Sequence, residues 1–374
     1  DVVENVSALS GVLTVTTGEL ANNAGLNIAL GTNSATVNAD ETNDEPGAET
    51  DVTINAASMA SAETLTLTGD AEVAVDGVVG TVDAKDLSGD LDVDTASGST
   101  VTVLTGTGDA LVSSASGSTV TVEADLLTVD DNTGSVTYEL VADGAGDVTV
   151  NDLAADLDAN ALTGELTVNT DTDAGVNIIT GNNNAFIDVD GASGSAQVDA
   201  DQMGSGFRLS AFGEGAVDVT NVDSGVVIDA NGNTTLGQSS LSGTLSVTTD
   251  NGATGVRVET GSAATTVDGD DGSTTVEADV LGNDVSLTLI GSSDHTVTSL
   301  TGDVDASGSS GLLTITTANN SIDDDILVST GSGETTITAN HTGDLVDVNA
   351  TALGDDTLLT TNGASAFDIT GLKG

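Results

Sequence analysis

A chain of 374 residues carrying 60 acidic side chains against Lys85, Lys373, Arg208 and Arg257 has a formal net charge of −56, which excludes nucleic acid and anionic membrane as partners by plain repulsion. With four Phe, one Tyr and no Trp, any interior must be filled by Val, Ile, Leu and Ala, side chains that suit narrow stacked strand layers better than a thick core. The absence of Cys excludes disulfides and thiolate metal sites, no apolar run reaches the length of a membrane helix, and a hydrophobic content of 37% is too high for a disordered acidic chain.

In chain order, short runs of strict alternation recur: 12–16, 65–68, 101–103, 120–122, 217–219 and 313–316, each with aliphatic residues at every second position. This is strand periodicity, and no stretch sustains helical spacing. Between the runs lie Gly, Asn, Asp and Ser clusters that bend the chain, such as 180–184. An aliphatic-x-Ala triplet opens larger units at Val6, Val82, Leu157, Ile228 and Val304, so the steps are 76, 75, 71 and 76 residues. A steady period of that length marks a repeat architecture.

Landmarks follow in the same order within each unit. A Ser/Thr-Gly pair leads a strand, and an aliphatic strand then ends at Gly31, Gly106, Gly181, Gly261 or Gly331. A second triplet follows at Ile54, Val122, Val198, Val276 or Val348, with Met59, Leu127, Met203, Leu281 or Leu353 three residues after its Ala. The unit closes with a Gly at 69, 144, 213, 291 or 363 and one more strand. These patterns predict an all-β chain, an elongated parallel β-solenoid of the β-helix or β-roll kind. It comprises five repeats of about 75 residues at 6–81, 82–156, 157–227, 228–303 and 304–374, with an acidic loop, 40–51, protruding from the first. The recurrent Ala and Leu/Met are expected to point inward and the Asp and Thr outward. Each unit reads as two unequal sets of coils, both opened by the same triplet.

Cations are the first candidate chemistry. Turns such as 106–109, 144–147, 213–215 and 331–334 resemble shortened Gly-x-Gly-x-Asp loops, and calcium needs six to eight oxygen ligands of the kind a tight turn and a carboxylate supply. The calcium candidates are Asp109, Asp147, Glu214, Glu334, Asp268 and Asp270. Against this stands the reading of the same turns as solvent-exposed corners whose glycines serve backbone geometry, and both readings stay open. The acidic runs at Asp130-Asp131, 268–271 and 323–325 read as solvated surface.

Catalysis has no comparable signal: carboxylates are everywhere, so no pair stands out as acid and base, and no catalytic residue or cofactor besides calcium is expected. His295 and His341 read as surface residues in turn regions. Thr-x-Thr pairs begin at Thr14, Thr66, Thr119 and Thr314, and a flat ladder of them would order water or ice. Their irregular spacing assigns them instead to ordinary strand propensity. The sequons at Asn5, Asn233, Asn319, Asn340 and Asn349 are what a Ser- and Thr-rich chain produces by chance.

The stretches 82–95 and 157–170, the latter followed by 176–191, resemble units of the giant bacterial repeats-in-toxin surface proteins, S-layer proteins and large adhesins exported by type I secretion. The resemblance implies a right-handed parallel β-solenoid, an extracellular or cell-surface location and calcium-dependent folding or assembly. The sequence departs from that family in lacking regular Gly-Gly-x-Gly-x-Asp nonapeptides. A structural protein that associates with itself into a lattice, filament or adhesin stalk is the expected function, with cell-surface polysaccharide as a further partner. A surface-binding module recognising glycan, mineral or ice through outward Thr, Asp and Asn rows is the alternative.

Overall fold

The computed structural model describes residues 2–5, 11–17, 26–40, 52–124, 140–232, 239–318, 325–340 and 345–372. Every regular element among them is a β-strand and every ladder is parallel, the solenoid class expected from the alternation. The triplet at Val6, Leu127, His341, the pairs Asp130-Asp131 and Asp323-Asp324, Asn233, Asn319, and 41–51 of the acidic loop lie outside the described residues.

The chain divides into two compact units, Asp1–Asn183 and Asn184–Gly374, and each is taken by itself. In the first, one sheet runs from Val2–Asn5 through Leu26–Ala29, Val52–Asn55, Val73–Val78, Leu91–Thr95, Ala110–Ser114, Leu140–Gly144 and Leu157–Asp158 to Gly175–Ile179, each strand parallel to the next. The strands between them in the chain build the other sheet, from Leu13–Thr16 through Ala35–Ala39, Thr64–Gly69, Thr81–Leu87, Thr100–Leu104, Thr119–Glu123 and Asp147–Leu153 to Leu166–Thr170. Each coil therefore gives one strand to each sheet. A coil advances 17 residues where Leu140 pairs with Leu157 and 30 where Ala110 pairs with Leu140, so the corners absorb insertions and leave the register intact.

The second unit repeats this plan, with ladders from Ala185–Val189 to Leu359–Gly363 and from Ser195–Asp199 to Ala366–Thr370. In both units buried aliphatics line the inside of the coils, as at Val120 and Val122 or Leu313 and Ile315. Fully burying one such side chain contributes roughly 1.5–3 kcal/mol, and coil-on-coil stacking repeats that gain at every level. The expected inward layers are borne out: the Ala of every described triplet is buried, as are Met59, Met203, Leu281 and Leu353.

One regularity is hidden in the sequence. The glycines that close the units end the strands Thr64–Gly69, Leu140–Gly144, Arg208–Gly213, Ser286–Gly291 and Leu359–Gly363, with φ of +112°, +97°, +93°, +91° and +113°. In the strand after each of the first four, or just beyond it in the fifth, a residue adopts φ of +52° to +77°: Gly77, Asp152, Asn221, Ser299 and Gly371. The ladder slips by one residue around the first four, a β-bulge.

The triplets that open successive repeats also change sheets, Val82 to Leu157 and Ile228 to Val304. Within 1–183, Ile54 and Leu157 lie in one sheet and Val82 and Val122 in the other; within 184–374, Ile228 and Val276 share a sheet opposite Val198, Val304 and Val348. From Thr81–Leu87 to Leu157–Asp158 is a step of seven described strands, three and a half coils, so the equivalent corner returns on the opposite side.

Candidate functional surface

The corners explain the Gly-x-Gly-x-Asp resemblance. A Cβ on Gly164 would stand 1.9 Å from the Gly146 carbonyl oxygen, and one on Gly243 would stand 1.8 Å from that of Gly215, so adjacent coils touch backbone to backbone there. Asp side chains of these corners cap the next coil. Asp147 accepts from the Glu165 N–H at 2.9 Å, Asp90 from Asp109 at 3.1 Å, Asp294 from Leu312 at 2.8 Å and Asp303 from Leu327 at 2.8 Å. A carboxylate satisfying an N–H at the entry to a strand does the work that a cap does in a turn.

Of the calcium candidates, Asp109, Asp147, Glu214, Glu334 and Asp270 are exposed and Asp268 is half-buried on the strand Thr265–Gly269. Asp270 accepts a hydrogen bond from the Ser292 hydroxyl at 3.1 Å. Among the described residues no three carboxylates or histidines gather in a geometry that would hold a metal. Asp109, Asp147, Glu214 and Glu334 lie at four different corners, and Asp268 and Asp270 lie on and just after one strand.

Both arginines lie together, which their spacing of 49 positions in the sequence conceals. Arg208, Val227 and Arg257 stack in register, and beside them stack Asp229, Glu259 and Glu277. Arg208 pairs with Asp229 and reaches Glu259 at 3.6 Å, while Arg257 pairs with Glu277 and meets Glu259 at 3.2 Å. Burial and the neighbouring Asp229 raise the Glu259 carboxyl above its ordinary value, against the lowering by the two guanidinium groups. On the first unit, Asp92 is likewise raised, by burial first and then by Asp94, Asp76, Asp143 and Glu72; its in-register neighbours are Ala74 and Leu111.

Threonines form ladders despite their uneven spacing in the chain. In the first unit Thr64, Thr81, Thr102, Thr121, Thr149 and Thr167 pair in unbroken register. In the second, Thr275, Thr296, Thr314, Thr336 and Thr360 do so. Corner length varies while strand register does not, so spacing along the chain conceals alignment in space.

His295 is 1% exposed, and this corrects its reading as a surface residue: on the strand Asp294–Leu300 it occupies an inward position. Its Nδ1 lies 2.6 Å from the Thr274 hydroxyl, and Ser293 and Thr265 carry buried hydroxyls without a partner among the described residues. Burial lowers the imidazole below the usual histidine value, opposed by the Ile290 carbonyl and the charges of Asp294 and Asp268. Because the folded state holds this ring neutral, its contribution is whole above the unfolded value of 6.5 and declines as pH falls below it. Thermal melts of the full chain between about pH 7.5 and pH 5.5 are expected to fall more for the parent than for His295→Leu. Parallel curves would refute this. Asp188 and Asp250 in the same unit are raised chiefly by burial and act with the opposite sign, which is why the comparison is made between the two proteins.

The depression near the C-terminal strands is lined by Leu353, Asp355, Asp356, Leu359, Ile369 and Leu372, with two carboxylates as its titratable groups. No protein-family model, curated protein or solved structure matches the chain.

Proposed function

We propose that this chain is a non-enzymatic structural protein of the cell surface, a stalk, filament or S-layer element wound as a right-handed β-solenoid. The observation that carries the reading is coil continuity: within each unit two parallel ladders run through every described coil over an aliphatic core, and corner carboxylates serve as backbone caps. The five-repeat organisation belongs to the same reading. It is supported by the positive-φ glycine and the residue of positive φ that follows it, which return five times along the chain. Secretion, an extracellular setting and contact with cell-surface polysaccharide fit a rigid, Cys-free chain of this charge.

Self-association belongs to the same reading, since a strand edge left uncovered pairs with another chain. Calcium would act by relieving like-charge repulsion at the corners carrying Asp109, Asp147, Glu214 and Glu334 and at Asp268 and Asp270. Electron micrographs of the purified chain with calcium and with a chelator test both points. Rods or sheets that order with calcium are expected; dispersed monomers in both conditions, with unchanged circular dichroism, would overturn the assembly and calcium parts.

A further inference from the structure

We propose that the threonine-bearing sheet of residues 184–374 binds an ordered water lattice, namely ice. Thr296, Thr314, Thr336 and Thr360 form one outward column, and Thr316, Thr338 and Asn362, two residues on, form a second beside it; Thr298, next to the bulge at Ser299, donates to the Val276 carbonyl and stands outside the array. The result is a two-dimensional array, repeating at about 4.8 Å across the strands and about 6.7 Å along them. Such repeats are close to those of water oxygens on a prism face of hexagonal ice.

The side chains suit that role. Each Thr offers one methyl and one hydroxyl on a Cβ whose rotation is restricted, above a buried floor of Leu313, Ile315, Val297 and Ile337. Among the described residues the hydroxyls of Thr296, Thr314, Thr316, Thr336, Thr338 and Thr360 make no hydrogen bond to protein. An independent feature marks the same coils: Leu312 and Leu358, 43% and 61% exposed, flank this array at its N-terminal edge, where apolar surface orders water.

Other occupants fit less well. The array has no aromatic ring for sugar stacking, and its carboxylates, Asp294 and Glu334, lie at its edge where a mineral would need them in the middle. In 1–183 the long ladder has Asp83 and Glu123 among its neighbouring positions, and the shorter array of Thr14, Thr36 and Thr66 beside Thr16, Asn38 and Thr68 runs into Asp83 and spends the Thr68 hydroxyl on Asn38, so the proposal is confined to the second unit.

Ice-affinity partitioning of the full chain tests the idea. The parent is expected to be enriched in a slowly growing ice front and to shape crystals. Thr314→Lys/Thr336→Lys should lower its retention about tenfold, and Thr266→Lys/Thr288→Lys, outward on the opposite sheet, should leave it unchanged. A single Thr316→Lys variant stands in should the double variant melt early by circular dichroism. Exclusion of the parent from ice, equal retention of both double variants, or capture by crystalline polysaccharide or calcium carbonate in place of ice would overturn it.

Discussion

Gly144→Ala is expected to lower the unfolding free energy by about 2–4 kcal/mol, the range of changes that break a special backbone position. Two effects add. The native φ of +97° lies outside the left-handed well that an L side chain tolerates, a strain on the order of 1–3 kcal/mol. The new Cβ would also stand 2.0 Å from the Ser114 carbonyl oxygen of the coil beneath, forcing the two coils apart where the Gly146 and Ala145 N–H groups bond to the same carbonyl. Gly98→Ala separates the two effects: Gly98 has φ of +69° and open space within 4 Å of where a Cβ would stand, so strain alone should cost about 1 kcal/mol. Urea titrations followed by circular dichroism give both values, and equal midpoints for the two variants would show that coil contact contributes nothing.

Arg257→Leu is the second large effect, expected at about 2 kcal/mol near neutral pH. That is below the loss for a fully buried pair, because the arginine side chain is 43% exposed. The loss comes from leaving Asp229, Glu259 and Glu277 stacked at strand spacing with only Arg208 to offset them. The pH dependence has a definite sign. Glu259 is raised above its ordinary 4.5 in the fold, so its carboxyl favours the folded state in acid and opposes it as pH rises through the raised value. Removing Arg257 takes away a cation that lowers it. The deficit of the variant should therefore be largest at neutral pH and shrink on acidification, and Glu259→Gln combined with Arg257→Leu should recover part of it. A deficit independent of pH would assign the effect to lost packing of the arginine stem.

Much of the fold is legible in the sequence because a two-residue alternation is a local property. Val120 and Val122, or Leu313 and Ile315, announce their inward face without reference to anything distant, and the five closing glycines announce a backbone that other residues resist. The companion positions leave no such mark, because Asp152, Asn221, Ser299 and two glycines share a conformation and no chemical likeness. His295 misleads for a related reason. Its flanking Ser292-Ser293-Asp294 reads as a turn, yet the strand begins at Asp294 and puts the next side chain inward. The Asp of the Gly-x-Gly-x-Asp corners reads as ligand chemistry and, at Asp147, holds a strand N–H.

Read locally, the residues settle that the chain is all-β, that its strands have one apolar face, and that small aliphatic layers with glycine corners repeat along it. These follow from hydrophobic alternation and steric exclusion, which act over a few residues. Which residues become neighbours is set by the winding of the coils: equivalent corners alternate between sheets, two arginines meet three carboxylates, and unevenly spaced threonines align. Those relations depend on coil lengths that vary from 17 to 30 residues per turn, and parallel hydrogen bonding corrects each uneven corner back to a common register.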